Sequence, residues 1–424
     1  VEKKIKVLHL NASSSGGAFV VAQRLSEALN DFTAVHSEHL VYTGKPGNYH
    51  LWSSGFWKKK YAFYLHALEK LDFLRFEKNK SVRFAFSHGL TGINIENNKL
   101  LKEADIIHLH WINKGFVSLH GLDKILKLGK PVVWTCHDQW PFTGGCYYSG
   151  TCNNYKTGCG NCPMLKNPSE NDLSAKVFQQ KKQIFSDHNN LRFVCPSAWL
   201  ANKGKESEIA KGHGIDVIPN GIDTTLFSPK NTAEIRQKMQ IPDSKFVILF
   251  AAVNIQDKRK GFAEFIKLMA DLGNKKPNLF HIIFTGDNQA EMPVNGNFTF
   301  QFTGFVSESQ KMAEIYSAAD LYVTTSNDDN LPTTIMESLA CGTPVAAFAV
   351  GGIPEMIEED KTGFLSSVYD TSQLADKIAV FANSEKTNQE KFRSNCRASA
   401  LVKYEKSVIA KKYAELYVKM LESI

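Results

Sequence analysis

Short apolar runs alternate with amphipathic helical stretches along nearly the whole chain, and this alternation narrows the fold more than any other feature. Ile5–Leu10 reads as a buried strand, Asn11–Gly17 as a polar loop ending in glycine, and Ala18–Asn30 as a helix. Further strands are expected at 104–110, 131–135 and 191–195. The pattern starts again near residue 215. A strand is read at Phe246–Ala252, a helix at Gly261–Leu272 and a strand at His281–Gly286. Strands near Phe300 and Leu321 follow, with a helix at Ser309–Ala319 between them. Strands separated by helices favour parallel pairing, because the chain must cross back before the next strand is laid down. Two such sets in 424 residues imply an α/β protein of two Rossmann-like domains. Ligands in such sheets sit at the carboxyl ends of the strands, so the strand-end loops are expected to open on a cleft.

Bulk properties exclude other classes. No apolar run approaches the roughly 20 residues that span a bilayer. Val1–Ile5 leads directly into a strand with no apolar leader ahead of it, so a cytoplasmic protein is expected. The net charge of +7 is modest, and no aromatic-basic sheet or reading helix points to nucleic acid. Its distribution says more. Trp52, Trp57, Lys58, Lys59, Lys60, Tyr61, Phe63 and Tyr64 lead into Lys70, Phe73, Arg75, Phe76, Lys78, Lys80 and Arg83. Two readings stand level: a surface that lies on anionic membrane, or a helix with core aromatics and solvated lysines.

The densest chemistry lies in Asn327–Val345. An acidic loop, a helix start at Pro332 and a short helix are followed by Gly342 and a strand. Asp329 and Glu337 stand eight apart. Proline suits a first helical turn, the amides around Thr333 and Thr334 are placed to meet phosphate, and glycine suits the position just past a helix end. Carboxylates before and on the helix suit the hydroxyls that flank a diphosphate.

Asp329-x7-Glu337 followed by Ala-Cys-Gly-Thr-Pro-Val resembles the E-x7-E motif of retaining GT-B glycosyltransferases (group 1, family 4 type). The Asp-Asn-Leu-Pro variant is similar to the branch that builds colanic acid, capsule and other bacterial surface polysaccharides. The resemblance implies a GT-B fold. Its acceptor-side domain would span 1–205, its nucleotide-sugar domain 206–405, and a C-terminal helix, 406–424, would cross back to the first domain. It implies that Glu337 binds the ribose and Asp329 sits at the donor sugar, with Asp shortening the family's usual Glu. Leu331, Pro332, Thr333, Thr334, Phe305 and Asn254 would complete the donor pocket, and Gly16 and Gly17 would lie near diphosphate and acceptor. His137, in Thr135-Cys136-His137-Asp138, matches a histidine that contacts the donor sugar. Lys260 matches the family's lysine beside the leaving diphosphate. The family's arginine, five or six positions earlier, has no counterpart: Asn254 and Ile255 stand there, and Arg259 is expected to substitute. Val217–Asp223 resembles the family's Pro-Asn-Gly-Val-Asp junction and is read as structural.

The activity implied is retaining hexosyl transfer through a front-face, oxocarbenium-like state. The donor would be a UDP-sugar ahead of a GDP-sugar, and the acceptor lipid-linked or a glycan. No catalytic metal is expected, since no Asp-x-Asp motif stands in a matching place. A sugar-nucleotide epimerase of the same fold and a non-catalytic nucleotide-sugar or glycan binder are the competing readings. Cys146, Cys152, Cys159 and Cys162 cluster in a Gly- and Asn-rich loop within 136–165. A structural zinc is expected there; two disulfides or four free thiols are the rival states.

Overall fold

The computed structural model describes residues 4–254, 257–287 and 297–423. The chain divides into two compact units, Val1–Gly221 with Ser407–Ile424, and Ile222–Lys406.

The first unit is built on seven strands: β1 (Ile5–Ser13), β2 (Val35–Thr43), β3 (His50–Leu51), β4 (Ile106–Leu109), β5 (Val132–Thr135), β6 (Leu191–Cys195) and β7 (Ile215–Val217). They lie in the order β3-β2-β1-β4-β5-β6-β7, and each pairing is parallel. The sequence reading starts its second unit near 215 and its second domain at 206. The structure instead adds Ile215–Val217 to the first sheet, because Phe193 to Cys195 pair with it residue by residue. β2 is not among the expected strands: His36, Ser37, Glu38 and His39 interrupt its apolar run.

Side chains alternate across a strand, and the two faces of this sheet differ. Leu8, Leu10, Ile107, Leu109, Val132 and Trp134 face one core. Val7, Val35, Ile106, Val133 and Val194 face a second core. The Gly17–Phe32 helix completes it with Leu25 and Leu29, and the C-terminal Lys406–Glu422 helix with Ile409, Tyr413, Leu416 and Tyr417.

The second unit carries β8 (Phe246–Asn254), β9 (Phe280–Asp287), β10 (Thr299–Gly304), β11 (Leu321–Thr324), β12 (Val345–Phe348) and β13 (Gly363–Ser366), in the order β10-β9-β8-β11-β12-β13. All pairings are again parallel. The C-terminal helix expected over 406–424 is Lys406–Glu422, set off from the Lys386–Tyr404 helix where Glu405 leaves helical geometry at φ −57°, ψ 126°. Among the described residues no helix is long and apolar enough to cross a membrane.

Candidate active site

In the second unit the motif residues collect on loops at the carboxyl ends of β8, β10 and β11. After β8 the chain makes a 3₁₀ turn, Lys258–Lys260, and enters the Phe262–Lys275 helix through Gly261. Gly261 has φ +67°, and a Cβ there would stand 1.8 Å from the Thr325 carbonyl oxygen, so only glycine fits. That approach stitches the turn to the loop after β11. Asn327 donates its amide to the Arg259 carbonyl at 2.8 Å, and Thr325 Oγ1 donates to the Gly261 carbonyl at 2.7 Å. Lys260 Nζ thereby reaches Asp329 Oδ2 at 2.6 Å, a charge-assisted contact between the lysine and the first acid of the motif. Gly351 supports Asp329 from the other side: its φ is +56°, and a Cβ would stand 1.7 Å from the Asp329 carbonyl oxygen.

Pro332 is the N-cap of the Thr333–Ala340 helix rather than its first turn, and no side chain caps that start. Leu331 is buried, while Pro332, Thr333 and Thr334 are partly exposed. Glu337 is 8% exposed, with the Tyr316 hydroxyl 3.4 Å from its Oε2. The Tyr322 hydroxyl donates to Thr334 Oγ1 at 3.0 Å. Gly342, at φ +76°, stands just past the helix end. Phe305 follows β10 and is 54% exposed. Arg259 turns toward Asp257 in its own turn, at 2.7 Å, rather than toward Asp329. Asn254 ends β8 opposite Asp287; its side chain, and Ile255, lie outside the described residues.

In the first unit, Gly16 (φ +89°) and Gly17 are exposed at the start of the helix after β1, which has no side-chain cap. His137 stands past the end of β5 and is partly exposed, and burial of its ring lowers its pKa to about 4. Asp138 accepts from the Trp111 indole and the Trp140 amide. Sequence reasoning missed what lies beside them. His9, His39, His108 and His110 share one face of the sheet with His137, and His39, His9 and His108 are in register across β2, β1 and β4. The legible signal is the His108-x-His110 alternation at the end of β4.

The four loop cysteines are unpaired thiols. Burial pushes Cys146 and Cys159 up to about 12 and raises Cys162. Among the described residues, the one group of three metal-type donors within 4.8 Å of one another is His9, His108 and His110, so no three of these thiols converge that closely.

Comparison with known proteins follows the same division. Residues 15–226 match the family described as Glycosyltransferase Family 4, and residues 231–399 match Glycosyl transferases group 1. A protein described as a colanic acid biosynthesis glycosyl transferase, WcaC of Escherichia coli, is 27% identical over 267 residues. The match covers 60% of this chain and 61% of that relative's length. A D-inositol 3-phosphate glycosyltransferase from an Arthrobacter species is 27% identical over 42% of this chain and 44% of its own length. Among solved structures, Anabaena HepE in complex with UDP aligns with a TM-score of 0.65 at 17% identity, over 98% of this chain and all of HepE (100%). Sucrose-phosphate synthase from Thermosynechococcus elongatus aligns with a TM-score of 0.67 at 17% identity, over 99% of this chain and 100% of its own. With two Rossmann-like domains, each matched by its own half of the family, the chain belongs to the group 1, family 4 glycosyltransferases and has their GT-B fold.

Proposed function

We propose that the protein moves a hexose from a nucleotide-sugar to a lipid-linked or glycan acceptor in bacterial surface-polysaccharide synthesis, with retention at the anomeric carbon. The Lys260–Asp329 pair is the observation that carries this reading. Two opposite charges held 2.6 Å apart at strand ends suit a reaction in which the leaving diphosphate gains negative charge while the sugar gains positive charge. Lys260 neutralises the diphosphate and Asp329 faces the sugar. Glu337 takes the ribose hydroxyls, the open helix start at Thr333 and Thr334 meets phosphate, and Phe305 offers a face to the base. Asn254, Leu331 and Pro332 shape the remainder of that pocket. Gly16 and Gly17 serve the diphosphate and acceptor, His137 contacts the donor sugar, and Arg259 is a second cation. A UDP-sugar is favoured over a GDP-sugar because HepE was solved with UDP; the polysaccharide assignment follows the colanic acid relative.

An acceptor carried on lipid, at the inner face of the cytoplasmic membrane, is supported by the Phe56–Phe73 helix. Ala62, Leu65, Glu69 and Phe73 are its buried stripe. Of the two readings of this segment, core packing of its aromatics does not fit Trp57, 79% exposed, or Phe63, 74% exposed; Phe56 is 63% exposed as well, beside the exposed Lys58, Lys59 and Lys60. Beneath the helix lies a cavity of about 210 Å³ whose lining includes Lys70, Arg83 and Lys114, the aromatic Phe84 and Trp111, and the single carboxylate Glu69, a cationic excess with aromatic walls that suits an anionic headgroup on an apolar tail. We propose a structural zinc for the cysteine loop, which requires its thiols, no three of which lie within 4.8 Å of one another, to draw together. Lys181, fully buried, donates to the carbonyls of Trp140 and Thr143 at 2.5 and 3.0 Å and interacts with the thiols of Cys146 and Cys159. Burial lowers Lys181 to about 7 against the raising effect of those thiols, and a zinc-bound thiolate set would hold it charged.

Calorimetric titration with UDP-, GDP- and dTDP-sugars, for the wild type and Glu337→Ala, tests the donor site. One UDP-sugar should bind, and the variant should weaken it. An unchanged dissociation constant would sink the role of Glu337. Product NMR then reads the anomer. Donor turnover without any acceptor would favour the epimerase, and binding without turnover on any acceptor the non-catalytic binder.

A further inference from the structure

Five imidazoles share the carboxyl end of one face of the first sheet, and three form a continuous chain of hydrogen bonds. His9 Nδ1 lies 2.8 Å from His110 Nε2, and His110 Nδ1 lies 3.1 Å from His137 Nε2. His108 is occupied otherwise, with its Nδ1 at 2.7 Å from the Tyr417 hydroxyl and its Nε2 at 2.8 Å from Thr135 Oγ1. The donor atoms of His9, His108 and His110 are close enough to hold a metal ion. Both nitrogens of His108 and both of His110 are already hydrogen bonded, however, so an ion would have to break that network.

A neutral imidazole carries one N–H and one bare nitrogen. Burial, then the neighbouring imidazoles, hold His9 and His110 well below the usual histidine range, and burial lowers His137, so the three rings are neutral near pH 7. The groups facing them are His39 from β2, His108 from β4 and Phe19 from the first helix, which stacks on His39. Tyr413 and Tyr417 come from the C-terminal helix and meet His108. Three neutral rings in a row allow only two proton arrangements. Pointing inward, His137 donates to His110, His110 donates to His9, and His9 keeps its proton on Nε2. Pointing outward, His9 donates from Nδ1, His110 donates from Nδ1, and His137 keeps its proton on its own Nδ1. The far end decides between them. His9 is 0% exposed and its Nε2 has no hydrogen-bond partner. An orphaned buried N–H is rarer than an under-used acceptor and carries the desolvation penalty of an unmade bond.

We infer that His9 and His110 are positioning residues that fix the chain outward, so that all three rings are Nδ1–H tautomers and His137 presents Nδ1–H as a hydrogen-bond donor. Any group that meets Nδ1 of His137 in the transfer site must then be an acceptor oxygen, a sugar hydroxyl or a phosphoryl oxygen, and His137 is not a base toward it. That last step rests on His137 belonging to the transfer site; the tautomer assignment does not.

Nitrogen-15 NMR of the ligand-free full chain, labelled at histidine, tests the inference. His9→Asn, His110→Gln and His137→Asn serve to assign the signals. The Nδ1 signals of His9, His110 and His137 should fall in the protonated range and their Nε2 signals in the bare range. A protonated Nε2 on any of the three overturns the proposal. In His9→Asn the amide still donates near the Nδ1 position, so His137 should stay Nδ1–H. His9→Asp puts an acceptor at the same position, so His110 should move its proton to Nε2 and His137 should follow to Nε2–H, in protein that still melts cooperatively. An unchanged His137 in the Asp variant would remove the relay. The outward pattern in a protein with no transferase activity would refute the functional reading alone.

Discussion

At the scale of single residues, charge placement decides the chemistry. Lys260 holds Asp329, whereas Arg259 is neutralised by Asp257 in the same turn. Lys260→Ala should therefore lower kcat by about 30- to 1000-fold, the loss of one oriented transition-state contact worth roughly 2 to 4 kcal/mol, with a smaller change in donor affinity. Arg259→Ala should lower it far less; equal losses in steady-state kinetics would give Arg259 the absent arginine's role. The histidines make a second prediction. Burial lowers His39 and His137 from 6.5 to about 4, and burial with the neighbouring imidazoles holds His9, His108 and His110 well below the usual histidine range. Folded values below the unfolded value mean that stability is intact above pH 6.5. It is lost as pH falls toward 4, because only the unfolded chain takes up the protons. One histidine shifted from 6.5 to about 4 withdraws roughly 3 kcal/mol over that range. Calorimetric melting of the first unit should fall steeply between pH 6.5 and 5; a flat profile there would contradict neutral burial. Legibility at this scale was uneven. Asp329, Glu337 and Lys260 stand out because motif spacing is local in sequence. The imidazole cluster does not, because it is assembled by register across β2, β1 and β4, which no single segment displays.

At the scale of elements, long apolar runs such as β1, β8 and β9 are legible, since burial on both faces writes a continuous hydrophobic signal. β2 escaped because polar residues stand on both its faces, Ser37 and His39 beside the histidine cluster and His36 and Glu38 opposite, and β7 and β13 because each carries only two apolar residues, Ile215 and Val217 in one and Phe364 and Leu365 in the other. The Phe56–Phe73 helix was legible in composition but not in orientation: sequence cannot tell which aromatics of a dense run turn inward. Its exposed face gives a prediction. The chain should co-sediment with anionic liposomes, and replacing Lys58, Lys59 and Lys60 with Ala should weaken this, as should salt. Equal binding to neutral vesicles would return the face to an ordinary surface. For the cysteine loop, elemental analysis of protein purified without added metal should give about one zinc per chain. Cys159→Ser should lose it and melt at lower temperature. Two disulfides and no zinc, found by mass spectrometry of protein kept from air, would overturn the assignment.

At the scale of the whole molecule, the chain leaves its first unit at Gly221 and returns to it at Ser407. Where it leaves and where it returns, the backbone is tied. The Ile222 amide donates to the Tyr404 carbonyl at 2.8 Å, and the Lys406 amide donates to the Ile222 carbonyl at 2.9 Å. The returning helix then buries Ile409, Tyr413, Leu416, Tyr417 and Met420 in the first unit, at roughly 1.5–3 kcal/mol for each large apolar side chain. Tyr417 and Tyr413 also bond His108 and Thr135. A fragment of residues 1–221 should not melt cooperatively alone, and a peptide of residues 405–424 added in trans should restore the transition. A cooperative melt of the bare fragment would show that the helix is dispensable.

The Lys406–Glu422 helix has a consequence for biosynthesis. During translation the first 221 residues emerge long before the segment that completes their core, while residues 222–406 form a compact unit that is continuous in sequence. The nascent first unit must wait with the Gly17–Phe32 helix on its core and the remainder, which Ile409, Tyr413 and Leu416 complete, still open, so the half of the protein synthesised first is the half that finishes folding last.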